Sequence, residues 1–196
     1  PGWRRWARAS SVMLAVVGLV GLAPLLALVA AAVRLDSPGP VLYRQTRVGR
    51  RGRPFTIYKF RSMRTDAERE TGPVWAAADD QRITRLGVWL RRLRLDELPQ
   101  LFNVIAGDMN LVGPRPERPR FVDEFRHSIP HYELRHLVRP GLTGWAQVSR
   151  AYGASAADAG EKLEYDLFYV KHRSIGFDLF ILFQTTKIVA LGRGAR

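Results

Sequence analysis

Two adjacent carboxylates, Asp96 and Glu97, stand in the stretch RLRLDELPQLFNV, residues 92–104, directly behind Arg91, Arg92 and Arg94. An acidic pair beside arginines suits the handling of phosphate. Guanidinium groups bind phosphate oxygens, with Arg94 the nearest candidate. One carboxylate could attack while the other holds a hard cation such as Mg2+, which prefers oxygen ligands and substrate phosphates. Pro99 helps to place the pair. With Asp96 at an N-cap, the proline falls in the first helical turn, where backbone N–H groups have no intrahelical partner and its missing donor costs little. Free N–H groups and the positive end of the helix dipole favour anions there. That position is expected to depress the Asp96 carboxyl and hold it ionised and nucleophilic. Neighbours in a helix point about 100° apart, so the two can reach one site in different roles. The plain alternative is a capping residue beside a solvated arginine face.

The surrounding elements must hold this pair. Ile83, Leu86, Val88, Trp89, Leu90 and Leu93 predict a helix before it, and Leu98, Leu101, Phe102 and Ile105 predict one after it, ending at Gly107. VLYRQTRV and PFTIYKF alternate around GRRGR and predict a short hairpin. LVGPRPERP reads as a rigid proline loop and RPGLTGWAQVSRAYG as irregular. PRFVDEFRHSI and HYELRHLV predict short helices broken at Pro130, and a further helix follows a cap at Ser155. The apolar stretch FDLFILFQTTKIVALG predicts a helix that is buried or lies in a membrane interface. The expected fold is α+β, predominantly helical with a small β-hairpin, in a single domain over residues 1–196 with no internal repeat.

Composition narrows the partners. Lys+Arg 31 against Asp+Glu 18 gives a net charge of +13, which points to an anionic partner. Cys 0 excludes disulfides and cysteine metal sites. The chain opens on Pro1, as expected of a processed protein or a piece of a longer one. From Val12 to Val33 no residue is charged, a length that could span a bilayer. A cleaved signal peptide has a shorter apolar core. Pro24 lies near the middle of the run, and arginines flank both ends: Arg4, Arg5 and Arg8 before it, Arg34, Arg44 and Arg47 after it. Positive flanks favour the cytoplasmic side. Both ends therefore belong on one side, which predicts a re-entrant helix over residues 1–36, kinked at Pro24. Residues 37–196 are then a cytoplasmic part with interfacial helices, and the protein is monotopic.

Other candidates carry less. His127 and His131 are four apart, but Pro130 spoils a helical metal pair. Gly141 and Gly144 could shape a nucleotide loop with Gln147, or simply a turn. Asp108 reads as structural.

DSPGPVLYRQTRVGRRGRPFTIYKFRSM, LRRLRLDELPQLFNVIAGDMNLVGPRPE and VRPGLTGWAQV occur in this order. Together they resemble the bacterial sugar transferases, monotopic polyprenyl-phosphate phosphoglycosyl transferases, over nearly the whole chain. The resemblance implies an enzyme that moves a sugar-1-phosphate from a UDP-sugar to polyprenyl (undecaprenyl) phosphate and releases UMP. It makes Asp96 the nucleophile of a covalent aspartyl-phosphosugar intermediate and Glu97 the Mg2+ ligand. Lys59, Arg61 and Arg115 become phosphate or nucleotide contacts. Ala23-Pro24 stands where the family's re-entrant helix breaks at a Ser-Pro pair. The implied place is the cytoplasmic face of the bacterial inner membrane, among its lipids, and the implied role is to begin exopolysaccharide, capsule, O-antigen or glycoconjugate assembly. A homo-oligomer is compatible with this.

Two other classes compete. A basic chain with Trp and Tyr could bind nucleic acid, yet it carries no recognised nucleic-acid motif, and a membrane insertion serves no purpose there. A non-catalytic basic membrane scaffold would be expected to lose the Asp-Glu pair, which is intact. No residue discriminates among UDP-sugars, polyprenyl lengths or glycan pathways.

Overall fold

The computed structural model describes residues 2–67, 69, 72, 80–149 and 156–191. Helix dominates, accompanied by two small two-stranded sheets. The chain opens with α1 (Gly2–Gly21) and α2 (Ala23–Asp36). Pro24 has no N–H for the carbonyl four residues back, so the ladder breaks between Leu22 N–Gly18 O at 2.9 Å and Leu26 N–Leu22 O at 2.8 Å. The two helices meet at a 64° bend. Among the described residues no single helix is long and apolar enough to cross a membrane, whereas this bent pair passes that test together. One side of the pair is committed to protein: Ala15 packs with Ile57, Leu101, Val104 and Met109, while Val29 and Val33 pack with Phe60 and Leu90. Val17, Val20 and Leu28 on the other side are exposed.

The expected hairpin is present as β1 (Leu42–Val48) and β2 (Pro54–Phe60), antiparallel with Tyr43 opposite Lys59. Period-2 alternation sends Ile57 and Lys59 to one face of β2 and Phe60 to the other. Thr84 caps α3 (Arg85–Arg92), its hydroxyl accepting from Gly87 N at 2.9 Å. α4 (Gln100–Ala106) ends where predicted, at Gly107 with φ 101°. Its last carbonyls are met by cations, which suits the negative end of a helix. Arg8 donates to Ile105 O and Met109 O, and Arg139 donates to Gly107 O.

A second sheet lies where sequence reasoning expects loop. β3 (Asn110–Val112) and β4 (Gly141–Thr143) pair in parallel, three residues each. Runs this short carry no readable alternation. The glycines beside β4 serve this close approach. A Cβ on Gly141 would sit 2.1 Å from Gly113 N, and one on Gly144 would sit 2.2 Å from Gly113 O.

α5 (Pro119–Ser128) starts with proline in its first turn. HYELRHLV forms the expected short helix, of the 3-10 type over Tyr132–Leu137, entered at His131 with φ 62°. α6 (Trp145–Ser149), α7 (Ala156–His172) and α8 (Ile175–Ala190) complete the order. The expected cap at Ser155 lies outside the described residues. α8 is capped by Ser174, which accepts from Phe177 N at 3.2 Å. Phe121, Phe125, Tyr132 and Leu163 make one core under β1, and Val112, Val138, Tyr169 and Ile181 make another under α8.

Candidate active site

The acidic pair does not begin the helix as expected. Asp96 and Glu97 occupy a 3-10 turn, Leu95–Glu97, and Pro99 rather than Asp96 is the N-cap residue of α4. The tight turn bonds Glu97 N to Arg94 O and Leu98 N to Leu95 O, both at 3.3 Å, so those N–H groups are already engaged. Arg94 adopts the left-handed conformation, φ 58°, where α3 gives way to the turn. Both carboxylates are buried, Asp96 7% and Glu97 8% exposed.

The two carboxylates are treated in opposite ways. Glu97 Oε1 accepts from Lys59 Nζ at 2.7 Å and from Arg115 Nη2 at 2.5 Å, and Oε2 accepts from Arg115 Nη1 at 3.3 Å. Burial by itself raises the Glu97 carboxyl, but the charges and hydrogen bonds of Arg115 and Lys59 outweigh it and hold it well below the usual carboxylate range. Burial pushes the Lys59 ammonium down against the pull of Glu97. The Asp96 carboxylate, by contrast, receives no hydrogen bond and closes no ion pair among the described residues. Burial pushes it up, as does the neighbouring Glu97 charge, against the opposing charges of Lys59, Arg91 and Arg115. The expected depression of Asp96 is therefore reversed. The helix behind it is only seven residues long, and burial wins.

Three elements bring this cluster together. Lys59 comes from β2 and the pair from the 3-10 turn, while Arg115 comes from the proline loop between β3 and α5. Asn103 locks α4 to the hairpin, with Oδ1 accepting from Tyr58 N at 3.2 Å and Nδ2 donating to Thr56 O at 2.7 Å. Asp108 has the expected structural contact, accepting from Asn103 Nδ2 at 3.2 Å. Arg91 brings positive charge to Asp96 and keeps one buried guanidinium nitrogen, Nη1, without a hydrogen-bond partner.

Two predicted contacts are engaged elsewhere. Arg61 is buried and donates to Val33 O, Ser37 O, Ser37 Oγ and Pro38 O, so it fastens the end of α2 to β2. Gln147 Nε2 donates to Leu142 O at 3.2 Å, while its Oε1 is buried without a partner. His127 Nδ1 lies 2.7 Å from Asp123 O, and His131 sits at the left-handed entrance of the 3-10 helix. No group of three or more His, Cys, Asp or Glu that could hold a metal occurs among the described residues. Mg2+ asks for less, since one or two carboxylates with substrate phosphates and water complete its octahedron. An unengaged Asp96 carboxylate beside Glu97, whose Oε2 has only one long hydrogen bond, fits that requirement.

Sequence reasoning missed the buried pair Arg135–Asp166, closed by Nη2 and Oδ2 at 2.7 Å. A signal was present. Ala159, Leu163, Asp166 and Tyr169 follow one stripe of α7, and all four are buried, with a charge among the apolar positions.

The fold and site define a basic, mostly helical protein whose center is a carboxylate pair set among cations, a constellation suited to phosphorylated ligands. A family model described as bacterial sugar transferase matches residues 3–192, and the chain belongs to that family. It is 47% identical over 189 residues to a UDP-N-acetylgalactosamine-undecaprenyl-phosphate N-acetylgalactosaminephosphotransferase of Aeromonas hydrophila, covering 96% of this chain and 44% of that protein. A UDP-glucose:undecaprenyl-phosphate glucose-1-phosphate transferase of Escherichia coli (strain K12) is 44% identical over 182 residues, 91% of this chain and 39% of the relative. The exopolysaccharide production protein PSS of Rhizobium leguminosarum bv. phaseoli is 42% identical over 192 residues, 95% of this chain and 96% of the relative. The chain thus spans less than half the length of the first two relatives and nearly all of the third.

Proposed function

We propose that this chain transfers a sugar-1-phosphate from a UDP-sugar to polyprenyl phosphate in two displacements. The carrying observation is the contrast within the pair: Glu97 is held by Lys59 and Arg115, while Asp96 is buried with its carboxylate unengaged. An unengaged carboxylate keeps its lone pairs available for attack.

In the first step an Asp96 oxygen attacks the sugar-bearing phosphorus of the UDP-sugar. The new O–P bond forms as the bond to the bridging oxygen breaks, and UMP leaves with that electron pair. In the second step a phosphate oxygen of the polyprenyl carrier attacks the same phosphorus. The aspartyl–phosphorus bond breaks and returns its electrons to Asp96. Lys59, Arg91 and Arg115 supply fixed positive charge where phosphoryl oxygens gain negative charge. Mg2+, held through Glu97 and the substrate's own phosphates, would neutralise part of that charge. The names of the relatives support undecaprenyl phosphate as the acceptor and a UDP-sugar as the donor, and they carry two different sugars.

The site would lie at the cytoplasmic face of the bacterial inner membrane. The bent pair α1–α2 supports a re-entrant anchor, and exposed Leu179, Phe180 and Phe183 support an interfacial position for α8. The test is mass spectrometry of the protein after incubation with UDP-sugar and Mg2+ but no lipid acceptor. About one equivalent of UMP should appear with one phosphosugar on Asp96, as a covalent intermediate requires. Absence of the adduct, or its mapping to Glu97, refutes the assignment.

A further inference from the structure

The proline loop that carries Arg115 is held by its carbonyls. Pro114 and Pro116 have no N–H, so donors within the loop are scarce. Four consecutive carbonyls accept from outside it: Pro114 O from Gly141 N at 2.9 Å, Arg115 O from Arg135 Nη2 at 2.8 Å, Pro116 O from Arg47 Nη1 at 3.1 Å, and Glu117 O from Val48 N at 2.9 Å. The second of these is made at the residue whose side chain grips Glu97.

Arg135 is built for this contact. It is 5% exposed, and its guanidinium is fixed on three sides. Nε and Nη2 donate to Asp166 Oδ2 at 2.9 and 2.7 Å, and Nη1 donates to the Tyr132 hydroxyl at 3.0 Å. A buried ion pair is weak evidence for stability, because a well-packed apolar replacement is often as stable. A planar fork with one arm on a loop carbonyl offers geometry instead.

We propose that Arg135, oriented by Asp166 and Tyr132, is a positioning residue. It sets the backbone at Arg115 so that the Arg115 guanidinium meets Glu97. This rests on the reading of Arg115 as part of the center. A lysine at position 135 could keep its ion pair with Asp166, but it lacks the fork that reaches Arg115 O at the same time.

The test is a double-mutant cycle on the full chain, reading single-turnover UMP release for the parent, Arg135→Lys, Arg115→Lys and the double variant. Arg135→Lys is expected to slow release by about 10- to 100-fold, the range typical of lost supporting contacts and small misplacements. In the Arg115→Lys background the same change should cost less than about 3-fold, because the side chain being positioned is already compromised. Losses that multiply would make Arg135 a general structural residue and overturn the proposal, as would a parent rate in Arg135→Lys. If Arg115→Lys itself releases UMP at the parent rate, the reading of the center fails and this inference falls with it. Should Arg135→Lys not fold, Tyr132→Phe, which removes only the hydroxyl that steadies Nη1, takes its place in the cycle. The same non-additivity is then expected on a smaller loss, and multiplying losses again overturn the proposal.

Discussion

Replacing the two neighbouring carboxylates by their amides should move stability in opposite directions. Asp96 is buried, unengaged and shifted toward its neutral form, so its charge at neutral pH opposes folding. Asp96→Asn removes that charge at nearly constant shape. The expected gain is on the order of 1 kcal/mol, because the charge is lost while the amide stays as buried as the carboxylate was, or roughly 2–4 °C in Tm for a chain of this length. Glu97→Gln breaks a buried cluster in which Lys59 and Arg115 both lean on the lost charge. Stranding buried charges costs about 3–5 kcal/mol, hence roughly 6–20 °C. Thermal unfolding in one detergent or nanodisc preparation measures both. UMP release should be abolished in Asp96→Asn despite the higher Tm. If Asp96→Asn melts as low as Glu97→Gln, the contrast within the pair is wrong, and if it still releases UMP at the parent rate the nucleophile is another group.

Burial raises the Asp178 carboxyl to about 6, against a hydrogen bond from Tyr169 and the charge of Arg173. The folded state therefore binds the proton more tightly than the unfolded chain, and this group's contribution to stability falls as pH rises through about 6. Asp178→Asn should accordingly raise Tm at pH 7.5 but give no gain at pH 4, and an equal gain at both would reject the assignment. Gly141→Ala places a Cβ 2.1 Å from Gly113 N, so it should separate β4 from the loop that leads to Arg115 and depress both Tm and UMP release; a parent-like variant would show that the approach is not needed. Reporters fused before Trp3 and after Arg53 should both be protected in intact cells, and exposure of the first alone would refute a re-entrant α1–α2.

The features legible in sequence were those with local causes. Pro24, the alternation around GRRGR and Gly107 after an apolar helical run each act within a few residues, and each appears in the fold. The carboxylate pair was conspicuous as chemistry, but its environment was not. Whether Asp96 or Glu97 is held down depends on Lys59, 38 residues before Glu97, and Arg115, 18 after it. Arg61 shows the same limit. The family resemblance made it a phosphate or nucleotide contact, while in the fold its guanidinium donates to backbone carbonyls at the end of α2. The parallel pairing of β3 with β4 and the bond from Arg135 to Arg115 are tertiary contacts between segments that read as loop or short helix, so no local pattern announced them.

The arginine that caps α4 from α1 has a consequence for how the protein is made. Arg8 donates to Ile105 O and Met109 O, carbonyls 97 and 101 residues further along the chain. At ribosomal speeds of about 5–20 residues per second, roughly 5–20 s separate the synthesis of the donor from that of its acceptors. Leu101, Val104 and Met109, which cover Ala15 in the finished fold, arrive equally late. Throughout that interval Ala15 lacks three of the four residues that share its buried cluster. The order of translation therefore places the closing of the Arg8 contact, and the full burial of Ala15, after the Leu95–Glu97 turn has been made.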